Sequence, residues 1–403
     1  MGASVDTLVT SEPIAIAGCG TVCALGRGIA SLEHAVLNNA SGLRSCARFS
    51  GKGHQTDVVG GIAQGIWDEL VANDPAHAEA FAFLLADCAL RQAKEQAREI
   101  LCRIPAERIG LVLSTTKAEI SALEKLHASR SCSEVARRHL LLGLLAADLA
   151  AAHSAAGPVR CVSVACVSGL TALQLGSDLV RRQAADAVLV VGADALADFV
   201  LAGFSTLRSL EADGCKPFDQ NRVGLSLGEG AGAIVLTARG KTPGPCWTII
   251  GGGSSNDANH LTGPSRDGSG LALAIERALH RAQLAPAEIC FVQAHGTGTL
   301  YNDRMESLAL RTVFGERIPP FNSCKGMIGH TLGAAGLLET IFCIAAGNVR
   351  ALPGTPGLRV RDPEVPPSVL ADPLRNTTMR HVLKINSGFS GTNAALVLRR
   401  EVA

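Results

Sequence analysis

Three residues of this 403-residue chain combine a reactive type with a placement in which chemistry can be done: Cys166, His295 and His330. Val159-Arg-Cys-Val-Ser-Val-Ala-Cys166 reads as a strand running into a helix that opens on Val167-Ser-Gly-Leu. Cys166 therefore falls at a strand-to-helix turn, where the helix N-terminus, with roughly half a positive charge, favours the nucleophilic thiolate. Free cysteine is otherwise a small buried hydrophobe, and the rest of the 13 cysteines read that way. His295 ends the strand-like Val292-Gln-Ala and precedes Gly-Thr297-Gly-Thr299, Asp303 and Glu306. His330 follows Asn322-Ser-Cys-Lys325-Gly-Met-Ile-Gly and leads into Thr331-Leu-Gly-Ala-Ala-Gly336, whose small side chains let a helix pack close. A lone histidine is usually structural. Two, each near a strand end beside glycine, threonine and a charged residue, suit acyl chemistry at a thioester, where neutral imidazoles donate to a developing oxyanion.

The elements that must position these residues follow from periodicity. Ile14 to Ala17, Ile109 to Leu113, Val159 to Val164 and Ala187 to Val191 read as strands separated by Ala/Leu-rich helical stretches, the signature of a mostly parallel α/β sheet. After the apolar run Ala231 to Leu236, the turn-rich Gly240-Lys-Thr-Pro-Gly-Pro245 marks an internal boundary. The alternation restarts at Trp247 to Gly251 and continues through Cys290 to Gln293, Arg304 to Val313, Pro320 to Ser323 and Leu332 to Ala346. We therefore expect two related βα halves, 1–245 with the cysteine and 246–403 with both histidines, stacked face to face. Val382 to Asn386 and Ala394 to Arg399 read as a hairpin, and Pro353 to Pro373 as a surface loop.

Composition narrows the function class. Hydrophobic residues at 47% and charged residues at 18% describe a globular chain with a large interior. A net charge of +1, with no basic run, argues against nucleic acid as a partner. Apolar stretches such as Leu337 to Ala346 are too short to span a bilayer. The start has no charged, apolar leader, and Met1-Gly2 lacks the sequel that myristoylation requires. The scattered cysteines contain no CxxC pair and fit no common zinc spacing, so a reducing cytoplasm and no metal are expected.

Six segments in order resemble the β-ketoacyl-acyl carrier protein synthases of type II fatty acid and polyketide assembly. They are Ile16 to Gly26, Ala165-Cys-Val-Ser-Gly169, Lys216-Pro-Phe-Asp219 with Gly228-Glu-Gly-Ala-Gly232, His295-Gly-Thr-Gly-Thr299, Lys325 to Gly336, and Gly388-Phe-Ser-Gly-Thr-Asn393. The resemblance implies the thiolase-like five-layered αβαβα fold, a dimer, and an elongating enzyme that condenses a Cys166-bound acyl group with malonyl-acyl carrier protein. It implies that His295 and His330 assist decarboxylation, that Lys325 and Glu306 hold the histidine network, and that the backbone N–H groups of Cys166 and Phe389 form an oxyanion hole. Phe389 would gate the acyl pocket, bordered by Phe204 and Thr116. Thr297 and Thr299 would bind a phosphopantetheine arm that arrives on the carrier protein, so no resident cofactor is implied. Arg208 would meet the carrier's acidic surface. The dimer could be of identical chains or include a chain-length-factor-like subunit.

The sequence departs from the family pattern at Ser387, where phenylalanine is common, at Ser390, where glycine is common, and at Ser114-Thr-Thr-Lys-Ala-Glu119, where a glycine-rich loop is common. Competing readings are weaker. Gly224-Leu-Ser226-Leu-Gly228 matches a hydrolase elbow but lacks the strand before and helix after. Gly228-Glu-Gly-Ala-Gly232 lacks the Lys-Ser/Thr of a nucleotide loop. A thiolase proper would carry a second, base-acting cysteine near the C-terminus, and none follows Cys343. His330 in a Gly-His-Thr context departs from the Cys/His/Asn set of the initiating synthases that use coenzyme A primers. A non-catalytic chain-length-factor-like subunit usually lacks the cysteine that Cys166 supplies.

Overall fold

The computed structural model describes residues 12–128, 130–242, 244 and 246–401. The first residues, read above for a leader or lipidation signal, and Pro245 at the expected boundary lie outside the described residues. Ten strands form one hydrogen-bonded succession. In the first part of the chain these are β1 (Ile14–Cys23), β2 (Ile109–Ser114), β3 (Val159–Val162), β4 (Ala187–Asp194) and β5 (Gly230–Ala238). The second part supplies β6 (Cys246–Asn256), β7 (Phe291–Gln293), β8 (Phe321–Asn322), β9 (His381–Gly388) and β10 (Thr392–Glu401). Their spatial order, β3-β2-β4-β5-β1 followed by β6-β10-β9-β7-β8, is the same pattern met from opposite ends.

The pairings repeat as well. β2 lies parallel to β3 and β4, and β7 parallel to β8 and β9; β4–β5–β1 and β9–β10–β6 are antiparallel. The halves are stitched where β1 pairs antiparallel with β6, Ile14 opposite Ile249. Helices complete the layers: α1 (Phe81–Gln96), α2 (Ser168–Arg181), α3 (Ser269–Ala282), α4 (Leu300–Phe314) and α5 (Ala335–Asn348). Because α2 and α5 pack on strands of both halves, they form the middle layer, while α1 covers the first half and α3 with α4 the second. This is the αβαβα arrangement. Along β4, Val188 and Val190 face the inner core, and Ala187, Leu189 and Val191 the outer one, the period of two that β structure imposes. α5, apolar almost all round, is buried along nearly its whole length.

Two strands run further than periodicity indicates, for one reason. β1 continues to Cys23 and β6 to Asn256 through glycines. A Cβ at Gly18 or Gly20 would stand 2.3 Å and 2.1 Å from carbonyl oxygens of α1, and one at Gly251 or Gly253 2.3 Å and 2.1 Å from those of α3. Glycine there lets a helix lie directly on the strand, and the device recurs in both halves. β3 ends at Val162, two residues short of expectation. Residues 353–373 contain no helix or strand, but the segment is not wholly a surface loop: Pro353 to Pro356 are buried, and Gly354 accepts a hydrogen bond from Asn322.

Candidate active site

Cys166 sits between β3 and α2, on a turn whose neighbour Ala165 has φ 45°. Ser168 fixes that turn: its hydroxyl donates to the Ala165 carbonyl at 2.6 Å and accepts the Val164 N–H at 2.8 Å. Cys166 is 8% exposed, and its sulfur lies 2.9 Å from His330 Nε2. The Phe389 N–H hydrogen-bonds to it. The expected resting thiolate is not what this environment favours. Burial pushes the Cys166 thiol up to about 11, and the nearby Lys325 charge only partly offsets this.

Both imidazoles are buried and lie perpendicular, with centroids 5.2 Å apart. Burial, reinforced by Lys325, pushes His330 down to about 3 and His295 well below the usual histidine range, so both are neutral. A neutral imidazole carries one proton, and the partners assign it. Nδ1 of His330 accepts the Leu332 N–H at 3.2 Å. Nδ1 of His295 faces Asn386 Nδ2 at 2.8 Å and Lys325 Nζ at 3.2 Å. Each ring therefore holds its proton on Nε2 as a donor. The ligand-capable atoms of Cys166, His295 and His330 lie within 4.8 Å of one another, which by distance could suit a metal ion. The protonation does not: a metal needs the Nε2 lone pair, and donors occupy both Nδ1 atoms.

Lys325 contacts His295 as expected, reaching both the ring and its carbonyl, the latter at 2.8 Å. Glu306 reaches His295 through the backbone and not through the ring. Its carboxylate accepts the backbone N–H groups of His295 and Gly296 at 2.5 Å and 2.8 Å, so it anchors the end of β7 and makes no bond to an imidazole. The carboxylate that completes the network is Glu339 on α5, 2.5 Å from Lys325 Nζ and 2.7 Å from Lys384 Nζ. Burial alone would raise its pKa; the two lysines bring it down to about 2. Glu339, Lys384 and Asn386 were not singled out in the sequence. One signal was present: Glu339 is the only charged residue between Leu332 and Val349.

A cavity of about 390 Å³ opens on the three central residues and is lined also by Thr297, Thr299, Phe204, Leu207 and Phe389. The Thr297 and Thr299 hydroxyls are 2.9 Å apart. Phe204 and Phe389 stack at 5.9 Å across the cavity wall. Ser390 has φ 66°, the left-handed conformation glycine takes without strain, so the serine keeps the backbone shape of the usual glycine. Thr116 does not line this cavity. Its hydroxyl and N–H bind the buried Asp194 carboxylate, which also takes the Thr115 hydroxyl and the Gly333 N–H, tying this loop to the chain after His330. Arg208 is exposed, directly after the lining residue Leu207, with no ion partner among the described residues. Ser226 is excluded as an elbow nucleophile: its hydroxyl accepts the Cys215 N–H at 2.8 Å, and a strand follows it.

Known proteins resemble this chain along nearly its whole length. The chain is 30% identical over 414 residues to the tetracenomycin polyketide synthase ketoacyl synthase alpha subunit of Streptomyces glaucescens, covering 96% of this chain and 97% of that one. It is 26% identical to 3-oxoacyl-[acyl-carrier-protein] synthase 2 of Staphylococcus aureus, covering 97% and 99%. The solved ishigamide ketosynthase/chain length factor superposes with a TM-score of 0.87 at 29% identity, covering 97% of this chain and 100% of that one. Since the beta-ketoacyl synthase N-terminal domain matches residues 11–241 and its C-terminal domain residues 247–359, the chain belongs to the β-ketoacyl synthase family.

Proposed function

We propose that this ketosynthase condenses an acyl group held on Cys166 with a malonyl unit presented on an acyl carrier protein, in type II fatty acid or polyketide synthesis. The observation that carries the reading is one buried thiol 2.9 Å from a neutral imidazole, with a second neutral imidazole beside it and the Sγ and ring nitrogen atoms of all three residues within 4.8 Å of one another. In the first half-reaction the sulfur attacks the acyl thioester carbonyl, and the carrier thiol leaves with the proton that Cys166 gives up. The N–H groups of Cys166 and Phe389 would hold the oxyanion. In the second, the malonyl C–C bond to the carboxylate breaks and carbon dioxide departs. The electron pair becomes an enolate whose oxygen takes hydrogen bonds from His295 and His330; its carbon attacks the acyl-cysteine, and Cys166 leaves as the thiolate, which takes a proton from solvent to restore the resting thiol. Neutral donors suit this step because they stabilise charge only as it develops.

Carrier and dimer partners follow from the relatives. The synthase of S. aureus is named for its acyl carrier protein, and the ishigamide structure contains a chain length factor. We infer a carrier-borne phosphopantetheine arm passing Thr297 and Thr299, no resident cofactor, and either a homodimer or a pair with a chain-length-factor-like subunit. A non-catalytic role for this chain is disfavoured by its intact Cys-His-His set. Among the described residues no helix is long and apolar enough to cross a membrane, and thirteen free cysteines suit the reducing cytoplasm.

Intact-mass analysis with acyl-carrier thioesters tests the reading. Wild type should gain one acyl group and Cys166→Ala none. His295→Ala and His330→Ala should load but condense on the order of a hundredfold more slowly or worse, as expected when an oxyanion donor is removed. Acylation of the alanine variant at position 166 would refute the nucleophile assignment.

A further inference from the structure

The proton arrangement of the two imidazoles depends on what faces their Nδ1 atoms. At His330 this is a backbone N–H, which no side chain controls. At His295 two side chains converge, Asn386 Nδ2 at 2.8 Å and Lys325 Nζ at 3.2 Å. An imidazole nitrogen offers one in-plane lone pair, so one donor takes the well-aligned bond. Asn386 makes the shorter contact. Lys325 directs its other protons to Glu339 at 2.5 Å and to the His295 carbonyl at 2.8 Å.

An amide can present either of its ends, and here a neighbour decides which. Glu339 Oε2 accepts from the same Asn386 Nδ2 at 2.9 Å. Reversing the amide would set Oδ1 against both a carboxylate oxygen and the His295 nitrogen. It would also carry the NH₂ group to the position where Oδ1 now sits buried without a partner. Glu339 in turn is held ionised between Lys325 and Lys384.

Resting on the condensing reading above, we propose that Asn386 is the positioning residue that places the His295 proton on Nε2, its own amide being oriented by Glu339. The two buried lysines thus act on the cavity through a neutral intermediary as well as through Lys325 itself. A cation alone at Nδ1 would hold the same tautomer but leave the ring free to turn about a longer contact. The two-ended amide ties the ring to α5.

The test uses the whole protein labelled with [¹⁵N]histidine. In wild type, the His295 nitrogens should report an unprotonated, hydrogen-bonded Nδ1 and a protonated Nε2. Asn386→Asp is nearly isosteric but presents an acceptor, which should draw the proton to Nδ1 and turn Nε2 into a lone pair. Malonyl-thioester decarboxylation should then fall about a hundredfold in kcat with little change in KM, the loss typical of one oxyanion donor. Acyl loading of Cys166, read by mass, should continue. Asn386→Leu, which removes the donor without adding an acceptor, should keep the Nε2–H signal through Lys325 and lose less activity than the aspartate variant. Protonated Nδ1 at His295 in wild type would overturn the proposal whatever the variants do, and so would Asn386→Asp with unchanged tautomer and rate. A wild type that shows the expected tautomer but never loads an acyl group would refute the condensing reading instead.

Discussion

At the scale of single residues, Cys166, His295 and His330 carry no charge at rest, although the charged Lys325 contacts His295. Burial pushes the Cys166 thiol up to about 11 and His330 down to about 3. Across the neutral range the resting pair is therefore thiol and imidazole, and the thiolate fraction should rise about tenfold per pH unit below the thiol pKa. Alkylation of Cys166 by iodoacetamide, followed by peptide mass, should thus climb steadily from pH 7 to 9. A plateau already reached at pH 7 would show that the helix end and the Phe389 N–H outweigh burial. No acid limb from His330 should appear until the pH approaches about 3.

At the scale of elements, catalytic geometry depends on two helices touching without side chains between them. Gly169, one residue into α2, and Gly336, one residue into α5, lie so close that a Cβ at Gly336 would stand 2.5 Å from Leu170 N, and one at Gly169 2.8 Å from Leu337 N. Backbone atoms cannot yield as side chains do. Gly336→Ala should therefore force the helices apart, destabilising the fold by roughly 1–3 kcal/mol or more as overpacking does, and should slow loading because Cys166 lies two residues before α2. Chemical denaturation and the loading rate, measured on one preparation, check both effects. An unchanged midpoint would mean that the middle layer is less tightly packed than described.

At the scale of the whole molecule, two sets of charges bear on the site: the buried cluster of Lys325, Glu339 and Lys384, and the rim. Glu339 is pulled down to about 2 in the folded state from an ordinary value of 4.5. A depressed carboxylate stabilises the fold fully above its unfolded pKa, and this contribution fades as pH falls from near 5 towards 2. Glu339→Gln should leave Lys325 and Lys384 without their counterion, cost on the order of 3–5 kcal/mol at neutral pH, and flatten the acid limb of stability. Denaturation midpoints from pH 7 to pH 3 would reveal both; parallel curves for variant and wild type would remove Glu339 from the account. On the rim, Arg208→Glu should weaken carrier-protein binding and reduce its salt dependence, since exposed charges steer through screened attraction. Equal affinity at low and high salt in both proteins would take Arg208 off the docking surface.

The sequence alone pointed to the proposed reacting groups and to the layered α/β fold. Cys166, His295, His330 and Lys325 stand in glycine-rich segments at strand ends, where local pattern and chemistry coincide, and alternating strands and helices announced two halves. The tertiary structure decided which polar residues serve those groups. Glu339, Lys384 and Asn386 lie on α5 and β9, and beyond the isolation of Glu339 in an apolar run nothing in their neighbours along the chain marks them. They meet His295 and Lys325 only because α5 fills the middle layer and β9 runs beside β7. Conversely, Glu306 stands near a motif and Thr116 just after β2, yet one binds backbone N–H groups and the other Asp194. Spacing along a chain fixes which residues share an element; which faces of two elements meet is set by packing, and that is where the proton positions of this site are chosen.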